Sequence, residues 1–238
     1  MNQIRFEERV LQNDFEVSEA IKSVRTAILF SSAECKVISI TSCNEGDGKS
    51  FLSFNIAKSL SEIGKRVLFI DADMRNSRFA SEYAKQTDIK GLSHYLSGQA
   101  SVGEVLYSTE ISELYMVFSG IFPVNPAELL TGSAFSSFVA EARENFDYVI
   151  IDTPPVNLVT DASICISRSD GSILVLSCGK TPAKAAREAE KTMLAAGKPI
   201  LGCVLNKVPR RVHKGRYGYG YGYGYGYGRN DRERNTGK

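Results

Sequence analysis

Short apolar runs rich in Val and Ile alternate along this chain with longer stretches of helical period, a pattern that predicts a mostly parallel sheet with helices on both faces. Six runs read as strands: residues 37–41, 67–70, 114–118, 148–151, 172–176 and 200–205. Most are too continuously apolar for a sheet with one wet face. Helices are predicted over 50–63, ending at Gly64, over 182–196, ending at Gly197, and over about 16–30, ahead of the first strand. Residues from about 73 to 91 show neither period and read as irregular.

The C-terminal end breaks the pattern. From Tyr217 to Gly228, six tyrosines (Tyr217, Tyr219, Tyr221, Tyr223, Tyr225, Tyr227) alternate strictly with six glycines. Glycine at every second position raises the entropy cost of any regular structure, and no aliphatic side chain is present to anchor a core. The expectation is one globular domain over 1–207 and a flexible, disordered tail over 208–238.

Composition sharpens this division. The whole chain carries a formal charge of +2, yet residues 208–238 hold eight Lys/Arg against Asp231 and Glu233, a net +6 that leaves the body at −4. An acidic body does not suit a dedicated nucleic-acid binder, and no nucleic-acid partner is expected. Five cysteines (Cys35, Cys43, Cys165, Cys178, Cys203) lack metal-ligand spacing and read as reduced, mostly buried thiols. The two histidines, His94 and His213, read as solvated rather than catalytic. No stretch has signal-peptide character or the roughly 20 apolar residues needed to span a bilayer, so a cytoplasmic protein is predicted, with any membrane attachment borrowed from a partner.

The first strand runs into Thr41-Ser42-Cys43-Asn44-Glu45-Gly46-Asp47-Gly48-Lys49-Ser50, and an apolar helix opens with Phe51 and Leu52. A strand, a glycine-containing turn and a helix N-terminus together turn backbone N–H groups and a helix dipole onto an anion. Gly46 and Gly48 let the backbone approach phosphate, Lys49 reaches the β and γ oxygens, and the Ser50 hydroxyl ligates Mg2+. Cys43 stands where the common phosphate-loop pattern has its first glycine.

Two further acidic sites end predicted strands: Val67-Leu68-Phe69-Ile70-Asp71-Ala72-Asp73-Met74-Arg75, and Tyr148-Val149-Ile150-Ile151-Asp152-Thr153-Pro154-Pro155. Ligands of open α/β sheets bind at that edge. One acid after an apolar run is as readily a solvated strand end, but Asp71, Asp73 and Asp152 share the edge with Lys49 and Ser50. Metal binding through water and activation of a hydroxyl nucleophile both need such carboxylates.

With these motifs in hand, the chain resembles the bacterial tyrosine kinases that control capsule and exopolysaccharide synthesis. A Walker A loop, a Walker A′ motif of the form Asp-Ala-Asp-Met-Arg and a Walker B motif of the form Asp-Thr-Pro-Pro occur together in that family. The resemblance extends through Gly91-Leu92-Ser93, Asn125-Pro126-Ala127-Glu128-Leu129-Leu130 and Gly202-Cys203-Val204-Leu205-Asn206 to the tyrosine cluster. It implies a P-loop NTPase-like fold that binds Mg2+ and ATP at Asn44, Glu45, Gly46, Asp47, Gly48, Lys49, Ser50 and Phe51, with Asn206 against the adenine. Ser50, with Asp71 and Asp152 through water, would hold the metal, and Lys49, Asp71, Asp73 and Asp152 would be catalytic. The six tail tyrosines would be the phosphoacceptors, modified in trans within a ring assembled through Glu19, Lys22 and Arg25. The implied partners are a transmembrane activator or polysaccharide co-polymerase that recruits the kinase to the inner face of the membrane, a cognate tyrosine phosphatase and protein tyrosine substrates.

Two alternatives stay open on the sequence. A P-loop ATPase of the partition or division-site type shares the nucleotide site, although its signature lysine is replaced here by Asn44. A nucleic-acid-binding module would use the Arg, Lys and Tyr of the tail for charge and stacking.

Overall fold

The computed structural model describes residues 2–7, 12–31, 34–84 and 89–209. The compact unit spans Met1–Val208. From residue 210 onward the expected tail, with its six tyrosines and His213, lies outside the described residues.

Among the described residues, eight strands form one sheet: β1 (Asn2–Ile4), β2 (Val37–Ser42), β3 (Val67–Asp71), β4 (Tyr107–Thr109), β5 (Leu114–Val117), β6 (Tyr148–Asp152), β7 (Gly171–Ser177) and β8 (Ile200–Asn206). Their spatial order is β1, β4, β5, β3, β6, β2, β7, β8, and only the β4/β5 pair is antiparallel. Around it lie the helices α1 (Phe15–Ser31), α2 (Lys49–Ser61), α3 (Phe79–Tyr83), α4 (Leu92–Leu96), α5 (Val102–Val105), α6 (Pro126–Thr131), α7 (Ser133–Asn145), α8 (Asp161–Ser167) and α9 (Ala183–Ala195).

The apolar runs form central strands because both faces are covered. β2 and β3 are buried throughout. Successive side chains point to opposite faces: Val67 and Phe69 join the core under α1 and α2, whereas Leu68 and Ile70 join the core under α7. A third apolar cluster packs α8 and α9 against Leu174 of β7. Chain direction diverges at β2. The crossover through α2 leads past β6 to β3, and the crossover from β6 through α8 leads back over β2 to β7. Such a switch point opens a crevice at the carboxyl ends of the strands.

An aromatic cluster fixes the floor of that crevice. Phe54 of α2 lies 5.1 Å from Phe6, 6.1 Å from Phe69 and 5.4 Å from Phe79, ring centre to ring centre, in edge-on or tilted arrangements. Phe79, the first residue of α3, thereby anchors the segment that follows β3, which the sequence pattern left irregular.

Two expectations need correction. Most of the apolar runs read as strands covered on both faces; residues 200–205 do form a strand, but β8 is a sheet edge on which Gly202, Cys203 and Leu205 are exposed. The cysteines are free and mostly buried, as expected: Cys35, Cys43 and Cys165 are buried, Cys178 is half-buried, and Cys203 on the edge strand is exposed. His94 is only partly exposed, and its Nδ1 accepts the Gly91 N–H at 3.1 Å where α4 begins.

Phe54→Ala should cost about 3–5 kcal/mol, since it deletes a fully buried ring at the centre of the aromatic cluster. Urea unfolding of the variant against the parent measures this, and a loss below about 1 kcal/mol would contradict the assignment of Phe54 to the core.

Candidate active site

The loop between β2 and α2 is held open by its own residues. Gly46 has φ +72° and Gly48 φ +92°, left-handed values that side chains rarely adopt. A Cβ at Gly48 would in addition lie 2.1 Å from the Asn206 Nδ2. The buried Asp47 carboxylate accepts the Asn44 N–H at 3.0 Å, closing the turn on itself, and the Thr181 hydroxyl reaches its other oxygen at 3.4 Å. At the foot of the loop the Thr41 hydroxyl donates to the Pro154 carbonyl at 2.9 Å, and the Val156 N–H donates to the Ser42 carbonyl at 2.9 Å. These bonds lock the phosphate loop to the segment that follows β6.

Cys43 fills the position of a glycine without becoming a nucleophile. It is fully buried, and burial, then the Asp47 charge and the neighbouring Cys203, push its thiol up to about 11.

Lys49 begins α2, and its ammonium stands between Asp73, two residues past the end of β3, and Asp152, the last residue of the neighbouring β6. Nζ lies 2.9 Å from Asp73 Oδ2, 3.6 Å from Asp152 Oδ2 and 3.2 Å from Ser50 Oγ. Burial opposes the ammonium, but Asp152 and Asp73 outweigh it and hold Lys49 protonated well above its usual range. Asp71 and Asp152 end paired strands, in register with each other. The Ser53 hydroxyl donates to Asp152 Oδ1 at 3.0 Å; Asp71 accepts the Ser77 hydroxyl at 2.5 Å and the Asp73 N–H at 3.2 Å.

Three buried carboxylates, Asp71, Asp73 and Asp152, face one ammonium. Burial first, then Asp152, push Asp71 up to about 7, against the lowering effects of Ser77 and Lys49. Asp152 is also raised, by burial, with Lys49 pulling against it.

A cleft of about 490 Å³ opens beside the loop, lined by Lys49, Ser50, Phe51, Asp73, Asn76 and Arg78 among others. Glu45 and Phe51 are both exposed at its rim. Asn206 closes the far side of the loop, donating to the Asp47 carbonyl at 2.9 Å. Of the residues singled out from sequence, Lys49, Ser50, Asp71, Asp73 and Asp152 converge here, with Asn44, Gly46, Asp47, Gly48 and Asn206 forming or bracing the loop. Glu19, Lys22 and Arg25 lie elsewhere. Lys22 pairs with Glu19 at 2.8 Å, and Arg25 donates to the Ser59 carbonyl and hydroxyl at 3.0 and 3.1 Å, binding α1 to α2.

Sequence reasoning missed three supporting groups. Ser53 follows Lys49 by one helical turn, a spacing that could have signalled its approach to Asp152. Ser77 lies in the stretch without period and gave no signal. Arg75 was part of a quoted motif, but its partner, the buried Asp161 at the start of α8, is 86 residues away; the pair is bidentate at 2.8 and 2.9 Å.

The residues fit a nucleotide with its metal ion. Left-handed glycines form the anion nest, and hard oxygen donors of Ser50, Asp71 and Asp152 stand near it. Among the described residues no group of three or more His, Cys, Asp or Glu forms a cage for a metal alone, and a cation shared with phosphates and water needs none.

A strand–nest–helix loop with acidic strand ends, on a sheet of this order, defines a P-loop nucleotide-binding protein. The AAA domain family matches residues 35–191. Tyrosine-protein kinase CpsD of Streptococcus agalactiae is 39% identical over 219 residues, 92% of this chain and 96% of that protein. Two solved structures are similar: the chimerical protein CapA2B2 (TM-score 0.79, 31% identity, 88% of this chain and 94% of that one) and the kinase domain of the Escherichia coli tyrosine kinase ETK (TM-score 0.77, 31% identity, 86% and 80%). The chain belongs to the bacterial tyrosine-protein kinases. Among the described residues no helix is long and apolar enough to cross a membrane.

The raised Asp71 gives a prediction with a definite sign. A carboxylate whose folded pKa exceeds its unfolded value contributes stability that is present below about pH 4 and lost as pH rises through about 7. Asp71→Asn removes the buried charge and keeps partners for Ser77. The ligand-free variant should therefore melt roughly 3–8 °C above the parent at pH 8, with the gap narrowing by pH 5. Melting curves at both pH values test this, and a variant less stable than the parent at pH 8 would contradict it.

Proposed function

We propose that this kinase uses Mg2+ and ATP to phosphorylate the tyrosine cluster Tyr217, Tyr219, Tyr221, Tyr223, Tyr225 and Tyr227 of its own chain, in trans, and that it regulates capsular or exopolysaccharide synthesis. The observation that carries the reading is Lys49, held between Asp73 and Asp152 at the mouth of an anion nest. Mg2+ would supply charge neutralisation and polarisation of the phosphate oxygens, held by the Ser50 hydroxyl and, through water, by Asp71 and Asp152.

On this reading the chain's own groups act in order. Without phosphate, the Lys49 ammonium occupies Asp73. Phosphate in the nest competes for that ammonium and frees Asp73, which lines the cleft whereas Asp71 does not. Asp73 is then placed to accept the phenolic proton of an incoming tyrosine, and Lys49 to stabilise the charge on the transferring group. Asp71 and Asp152, deeper and paired across neighbouring strands, stay with the metal. Phe51 and Glu45 at the rim would meet the nucleotide or acceptor, and Asn206 the adenine.

Residues 1–207 form the kinase domain on this reading and 208–238 the acceptor tail. Glu19, Lys22 and Arg25 would serve a ring by exchanging their present partners for those of a neighbour. A transmembrane activator would recruit the kinase from the cytoplasm to the inner face of the membrane, and a tyrosine phosphatase would reset it. Six phosphates at about −1.5 to −2 charges each would invert the +6 of the tail and loosen the assembly by repulsion from the acidic site.

The test mixes a Lys49→Met chain with an intact kinase whose six tail tyrosines are Phe, in Mg-ATP, and follows intact mass. Lys49→Met alone should lose at least about a hundredfold in phosphotyrosine formation, while its tail gains phosphate from the mixed partner. An unlabelled Lys49→Met tail would refute trans transfer. Near-normal self-labelling of Lys49→Met would refute the role of Lys49.

A further inference from the structure

Just past β8, Lys207 adopts a left-handed backbone conformation with φ +56°, one of two non-glycine residues with positive φ among those described. Unbranched side chains adopt it at a cost, so something must hold it. Two bonds do. The Lys207 N–H donates to Asn206 Oδ1 at 2.8 Å, and the Lys207 ammonium reaches back to donate to the Gly46 carbonyl at 2.5 Å. Asn206 itself donates to the Asp47 carbonyl at 2.9 Å. Two consecutive residues of β8's end thus grip two consecutive carbonyls of the phosphate loop, across some 160 residues of sequence.

The consequence follows from the peptide unit. C=O and N–H of one planar trans peptide point in opposite directions. The Gly46 carbonyl shares its peptide with the Asp47 N–H, and the Asp47 carbonyl shares its peptide with the Gly48 N–H. Drawing both carbonyls toward β8 aims both N–H groups away from it, the orientation an anion nest requires. Gly46 is exposed, and a Cβ built on it would meet nothing within 4 Å, so no packing at that point holds the peptide. A cation on the carbonyl also polarises the peptide and strengthens its N–H as a donor.

We infer that Lys207 is a positioning residue for nucleotide binding, a strap whose ammonium holds the Gly46–Asp47 peptide in its phosphate-binding orientation. The inference rests on the loop being the phosphate site, and not on which hydroxyl receives the phosphate. Since the strap acts on the loop before and throughout the reaction, it contributes equally to ground-state and transition-state binding. Its loss raises KM and leaves kcat in place.

The experiment compares the full chain with Lys207→Met, which keeps the stem and removes the ammonium, and with Lys207→Arg, which restores a cationic donor. Mg-ADP binding is measured by calorimetry and, separately, KM and kcat for Mg-ATP. Lys207→Met should bind Mg-ADP roughly tenfold more weakly, raise KM by a similar factor and keep kcat within about twofold, with Lys207→Arg recovering most of the affinity. Unchanged Mg-ADP affinity in Lys207→Met overturns the strap. So does a fall in kcat at constant KM, or a loss of affinity that Lys207→Arg leaves unrepaired. Mg-ADP affinity is read without any transfer of phosphate, so a failure of the kinase reading would show as missing phosphotyrosine and leave this comparison standing.

Discussion

One buried ammonium among three buried carboxylates sets the character of this protein. Lys49 neutralises one of Asp71, Asp73 and Asp152 and leaves the others to share what remains. Burying unpaired charge is expensive, and the site lowers the cost by holding Asp71 near the edge of protonation. A cluster built for stability alone would place apolar residues where these charges stand. This one is under-neutralised, and in that state it favours any divalent cation that can reach it together with an anion that draws Lys49 outward.

The fold exists to make that cluster rigid. β3 and β6 are neighbours in register, so Asp71 and Asp152 arrive side by side at the same edge, and β2 delivers the phosphate loop beside them. Behind the edge, Phe54 on the helix that carries Lys49 packs on Phe69 of β3 and on Phe79. Arg75 is tied bidentately to the buried Asp161, which pins the segment after β3 to α8. The same residues that fill the core therefore fix the distances among the charges.

Much of this was legible in the sequence because the signals were local. Strand cores of β2, β3, β6 and β7 announced themselves as unbroken apolar runs, and the phosphate loop and the two acidic strand ends were contiguous motifs. What escaped depended on partners distant in sequence. β1 and β4 are three residues each and gain their strand character from pairing with each other and, for β4, with β5. β8 was composed like a central strand and became an edge, since nothing in its own residues says that the sheet ends there. Ser77 and Asp161 touch the site through contacts that no spacing rule encodes. The grip of Asn206 and Lys207 on the loop likewise required the sheet order before it could be seen.

The central claim is that the under-neutralised aspartates make nucleotide binding depend on a divalent cation and release a proton when it arrives. Calorimetric titration of ADP at pH 7, with Mg2+ and with EDTA, in two buffers of different ionisation enthalpy, tests it directly. The account predicts at least roughly tenfold tighter binding with Mg2+, with release of a fraction of a proton that disappears in Asp71→Asn, because a metal beside Asp71 favours its ionised form. Equal affinity in EDTA, or proton release unchanged in Asp71→Asn, would contradict it.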